Sequence, residues 1–99
     1  MTSRTYLITF DLLDPTLDLD GLKAFVTTTP MFESWWNHIP GVFLVVSDRD
    51  AGAISKAMRQ HTKSARLLVV EANMSESEGL LPEQSWNWIR RRSQTPLNA

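Results

Sequence analysis

Asp11 and Asp14 are the residues whose type and spacing best suit hydrolytic chemistry. They follow a β-prone run and offer hard carboxylate oxygens, of which Mg²⁺ typically takes one or two from a protein. A two-fold axis that doubled Asp11 would bring two carboxylates together for metal-assisted phosphodiester hydrolysis. On this reading Asp11 is the catalytic residue, Asp11 and Asp14 are metal ligands, and Mg²⁺ is the cofactor. A plainer role fits the same residues: Asp11 ends a strand and Asp14-Pro15 begins a turn, each for local backbone reasons.

A second constellation is Trp35, Trp36 and His38. Aromatic side chains on an exposed sheet stack on unpaired bases. They fill a core or a dimer interface equally well. Strand alternation puts Trp36 and His38 on one face, and Trp35, Asn37 and Ile39 on the other. Arg90, Arg91 and Arg92, beside Trp86 and Trp88, form the basic cluster. Such a cluster can meet phosphate and base together, or it can be a solvated helix end. The imidazoles are His38 and His61. Each has the proton affinity of a general base near neutral pH, but spacing ties no nucleophile to either.

Composition narrows the classes. The chain has 99 residues and a formal net charge of −1, room for one domain and no basic excess of the kind a generic nucleic-acid coat carries. With 42% hydrophobic residues it has a folding composition. It contains no cysteine, which excludes disulfides, thiolate metal sites and cysteine catalysis and fits a reducing, cytoplasmic setting. The first apolar run is broken by Thr9 and Asp11, so neither a signal peptide nor a membrane span is expected.

The elements that must position these residues are legible as a pattern. Tyr6 to Leu12 alternates as a strand, with Tyr6, Ile8, Phe10 and Leu12 on one face. Asp18 caps a helix through about Thr28, whose buried stripe is Leu19, Leu22, Phe25 and Val26. Glu33 to Ile39 and Val42 to Ser47 read as a hairpin about Pro40-Gly41. The second of these runs is almost continuously apolar, as suits a strand covered on both faces. Asp48 or Asp50 caps a second helix through about His61, with Ile54, Ala57, Met58 and His61 on one stripe. Arg66 to Ala72 is a fourth strand. Pro82 opens a third helix in the first-turn position, ending at the three arginines, where cations are favoured. Residues 93–99 are expected to fray.

The order is β-α-β-β-α-β plus a C-terminal helix. It predicts an α+β, ferredoxin-like sandwich over residues 1–92, with helices on one face of a four-stranded sheet. The other face must be solvated, covered by the third helix, or used for a partner. A homodimer through sheet edges or the open face is expected, with the C-terminal helix a candidate to cross over; edge pairing would hide strand edges that invite aggregation.

The runs Ile8-Thr9-Phe10-Asp11-Leu12, Trp35-Trp36-Asn37-His38 before Val42-Phe43-Leu44-Val45, Leu67-Leu68-Val69-Val70-Glu71, and Leu80 to Ile89 resemble the small bacterial SinR-like proteins. The likeness runs from about Thr5 to Arg92 and implies the fold more than an activity. More remotely, the fold and Asp11 are similar to the CRISPR adaptation endoribonuclease family. That resemblance implies an Asp11 near a dimer two-fold, able to help hold a divalent metal. Phe10 stands where that pattern has tyrosine, and Asn37 interrupts the Trp-Trp-His order. Two functions are therefore expected. One is a dimeric interaction or nucleic-acid-associated module in which Trp35, Trp36, His38 and Arg90 to Arg92 meet RNA, DNA or protein. The alternative is a Mg²⁺-dependent endonuclease using paired Asp11 carboxylates. Asp11 close across a two-fold favours the nuclease; Asp11 engaged in local hydrogen bonds disfavours it.

Overall fold

The computed structural model describes residues 2–93, except for the side chain of Ser93. The expected frayed tail therefore lies, beyond the Ser93 backbone, outside the described residues. The element order is β1 (Arg4–Phe10), α1 (Leu19–Thr28), β2 (Ser34–Ile39), β3 (Val42–Ser47), α2 (Ala51–Thr62), β4 (Leu67–Glu71) and α3 (Glu83–Ser93). The strands form one sheet in the order β2-β3-β1-β4, and every neighbouring pair is antiparallel. The α1 crossover from β1 to β2 passes over β3, and the α2 crossover from β3 to β4 passes over β1.

Local chemistry sets the boundaries. The strand expected over Tyr6 to Leu12 runs instead from Arg4 to Phe10. The Asp11 carboxylate accepts from the Leu13 N–H at 3.1 Å and turns the chain, so Leu12 leaves the buried face and is exposed. Asp18 caps α1 by accepting from Gly21 N–H, 3.0 Å. Of the two aspartates before α2, Asp50 is the cap, accepting from Ala53 N–H at 2.8 Å. Pro82 stands one residue before α3 rather than inside it, and its carbonyl accepts from Ser85 N–H at 2.9 Å. Gly41 closes the hairpin at φ 82°, a left-handed conformation that glycine adopts without a Cβ penalty.

The sheet is apolar on both faces. On the first, Tyr6, Ile8 and Phe10 of β1 and Phe43 and Val45 of β3 pack with Leu22 and Val26 of α1 and Ile54 and Met58 of α2. On the second, Trp36, Leu44 and Val46 pack with Trp88 and Ile89 of α3. β3 is thus covered from both sides, as its unbroken apolar run predicts. α3 lies over β2 and β3 on that second face, and Leu7 of β1 packs against the same cluster. Beyond it, β4 keeps Leu68 and Val70 exposed, at 58% and 45% of their full surface.

Ile54 is fully buried between α2 and the sheet. Ile54→Ala is expected to lower unfolding free energy by about 2–5 kcal/mol, read from urea denaturation. A loss well below that range would mean this core is not packed as described.

Candidate functional site

The acidic pair sits in the loop after β1, and both carboxylates are engaged locally. Asp11 bonds the Leu13 N–H. Its own N–H donates to the Arg66 carbonyl at 3.0 Å, and its carbonyl accepts from Asp14 N–H at 3.2 Å. Asp14 Oδ1 accepts from the Thr16 N–H at 2.8 Å and the Thr16 hydroxyl at 2.6 Å. The hydroxyl bond, and then the backbone bond, hold the Asp14 carboxyl below its ordinary range. These are Asx-type turns, in which the carboxylate stands in for a backbone acceptor. Among the described residues no group of three or more His, Asp or Glu side chains is placed to hold a metal ion. Within one chain Asp11 and Asp14 are the expected ligands, and one oxygen of each is already turned to backbone or hydroxyl donors.

The aromatic constellation is split. Trp35 is exposed and pairs with Val45, on the face that α1 and α2 cover elsewhere. Trp36 pairs with Leu44 on the opposite face and is buried. Its ring lies 5.5 Å from that of His38, centroid to centroid. His38 Nδ1 lies 2.5 Å from Ser85 Oγ in the first turn of α3. One helical turn on, Trp88 Nε1 donates to Ser34 Oγ at 2.7 Å. Two side-chain bonds therefore fasten α3 along β2, over the stripe of Trp36, Trp88 and Ile89. Ser85 is wholly buried, whereas a nucleophilic hydroxyl must reach substrate. The His38–Ser85 contact is thus a fastener for α3.

The arginines do not act alike. Arg92 stacks over the Trp88 ring, with its guanidinium carbon 5.0 Å from the centroid. Burial holds it below the ordinary arginine range, the Arg91 charge adding to this and the Glu33 charge opposing it. Arg90 donates to Asn87 Oδ1 at 2.7 Å, and Arg91 is exposed. The path of α3 fixes where this cluster lies. Its N-terminal turn meets His38, near the β2–β3 turn, and Trp88 meets Ser34 at the start of β2. Phe10, next to Asp11, bonds Gly41 in that same turn. The acidic loop and the arginines therefore occupy opposite ends of the sheet. His61 is elsewhere again, half-buried with its ring 5.3 Å from Phe25.

Three further residues shape the site without a signal in the sequence. Ser34 and Ser85 carry no motif and meet partners far along the chain. Asn37, which interrupts the aromatic run, has a structural role. Its amide donates to the Ile39 carbonyl at 3.2 Å and the Val42 carbonyl at 2.7 Å. It bridges the hairpin where the β2–β3 register is irregular, between Trp36 and Ile39. Two surface clefts flank these elements. One, of about 390 Å³, lies between the 73–79 loop and Trp86 and Arg90 of α3. The other, of about 230 Å³, lies beside Lys23, Asn37 and His38.

The turn role of Asp14 is testable through its titration. A folded value below the ordinary range means the turn stabilises the fold above that range and loses this contribution as pH falls through the lowered value. Thr16→Val is expected to move the Asp14 midpoint upward in an NMR carboxyl titration. An unchanged midpoint would show that Thr16 does not hold it. Compared with protein-family models, curated proteins and solved structures, the chain matches none.

Proposed function

We propose that this chain is a ferredoxin-like domain that works by self-association, as a non-catalytic interaction module. The support for the fold name is the strand order with its two interleaved β-α-β crossovers, the split arrangement that defines that class. The support for the function is one observation. The cluster under α3 on the second sheet face takes in β2, β3 and Leu7 of β1, and the exposed Leu68 and Val70 stand beyond it on β4. Leu68 and Val70 are neighbours on that face and offer a second copy an apolar surface to dock on.

The other expectations draw less support from the same geometry. A base-stacking platform needs exposed rings on one surface. Trp36 and Trp88 are buried, and the exposed Trp35 is on the opposite face from Trp36. A nuclease built on Asp11 needs carboxylate oxygens turned toward a metal, and one oxygen each of Asp11 and Asp14 serves a turn.

Sedimentation velocity over a range of about 1 µM to 1 mM tests the reading. The wild-type chain is expected to shift from monomer to dimer. Leu68→Lys, which places a charge on the open face without touching either core, is expected to weaken the dimer at least about tenfold. A monomer at every concentration would overturn self-association. Cleavage of short RNA or DNA that needs both Mg²⁺ and Asp11, judged against Asp11→Ala, would overturn the non-catalytic reading.

A further inference from the structure

The two edges of the sheet differ. On β2 the pairing is irregular between Trp36 and Ile39, and Ser34 and His38 are fastened to α3. Irregular pairing and covering elements are how proteins blunt a sheet edge. β4 has neither. It pairs residue for residue with β1 from Leu67 to Glu71, and no strand among the described residues lies beyond it.

The direction of its backbone groups follows from the bonds it makes. Ala72 N–H donates to the Thr5 carbonyl at 2.8 Å, and Asp11 N–H donates to the Arg66 carbonyl at 3.0 Å. Antiparallel alternation then turns the groups of Leu68 and Val70 toward β1 as well. Those of Leu67, Val69 and Glu71 point away from the sheet. Leu67 and Val69 pack their side chains on the helix-covered face, while Leu68 and Val70 stand on the open one.

We infer that β4 pairs antiparallel with β4 of a second copy, centred on Val69, joining four strands from each copy into one sheet; this rests on the self-association reading above. Register follows from the outward groups. Centred on Val69, Leu67 meets Glu71 of the second copy and Val69 meets its counterpart, each pair exchanging both backbone bonds. All three outward residues are then satisfied within the strand. A shift by one residue sets side chains of opposite faces together, and a shift by two leaves an outward residue without a β4 partner. The same register puts Leu68 beside Val70 of the second copy on the open face, at the closely spaced kind of pair.

The sequence of β4 suits antiparallel pairing with itself. It is bounded by Arg66 at one end and ends on Glu71 at the other, with only aliphatic residues between. The Val69-centred register sets Arg66 opposite Ala72 and Glu71 opposite Leu67 of the second copy, so no like charges meet; parallel in-register pairing would set each charge beside its own counterpart. Glu71 keeps its exposed ion pair with Arg4 of its own chain, 3.5 Å, in this arrangement.

The chain contains no cysteine, so cross-linking reads the register directly. Leu68→Cys and Val70→Cys are made separately, checked for native circular dichroism, and oxidised alone and as a mixture. Residues 68 and 70 of the two copies would have Cα atoms about 4.5 Å apart, within disulfide reach. Like positions would lie about 8 Å apart, beyond it. The mixture is expected to form disulfide-linked dimer at least about tenfold faster than either variant alone. Equal rates, or no cross-link in a chain that sediments as a dimer, would overturn this pairing while leaving self-association standing. A chain that sediments only as a monomer would overturn both.

Discussion

β3 is apolar on both of its faces, and the rest of the molecule follows from covering it. Phe43 and Val45 point to one side, Leu44 and Val46 to the other, and all four are buried. The crossover helices α1 and α2 lie on the first side because each returns the chain across that face. The second side has no crossover to use. It is closed by α3, which brings Trp88 and Ile89 onto Leu44, Val46 and Trp36. Without that helix the second face would leave its large apolar side chains in water, a loss set by the area involved.

α3 is placed by polar bonds as much as by apolar burial. The Trp88 indole N–H finds Ser34, and Ser85 finds His38. A buried donor or acceptor without a partner costs free energy, so these pairs favour one position of α3 along β2 over a slide along the apolar stripe. That position fixes both the covered part of the face and the uncovered one. It also carries the three arginines to the end of the sheet opposite Asp11. The separation keeps Arg90, Arg91 and Arg92 away from the carboxylates within one chain.

Much of the fold is legible in the sequence because it is written in local periodicity. The apolar stripes of α1 and α2, the Gly41 turn and the six-residue apolar run of β3 are each set by neighbours in sequence. Element ends are less legible. Alternation places Asp11 in a strand, whereas it is a turn acceptor; the first-turn preference of proline places Pro82 inside α3, whereas it precedes the helix. Both differences come from one side chain or one carbonyl capturing a nearby N–H. The site is least legible. The Ser34–Trp88 and Ser85–His38 contacts join residues about half the chain apart, with no spacing to reveal them. β4 shows a further limit: Leu67-Leu68-Val69-Val70 is as apolar as the run of β3, yet α3 stops short of it and Leu68 and Val70 stay exposed.

α3 covers β2 and β3 on the second face and leaves β4 an open edge, and on this the proposed association depends. Residue-resolved amide hydrogen exchange on dilute, monomeric chain tests it most directly. The expected result is an alternating pattern along β4: Leu68 and Val70 amides, turned toward β1, exchange slowly, and those of Leu67, Val69 and Glu71 exchange fast. Equal protection of all five amides in the monomer would contradict it, because the edge would then be covered by the chain itself.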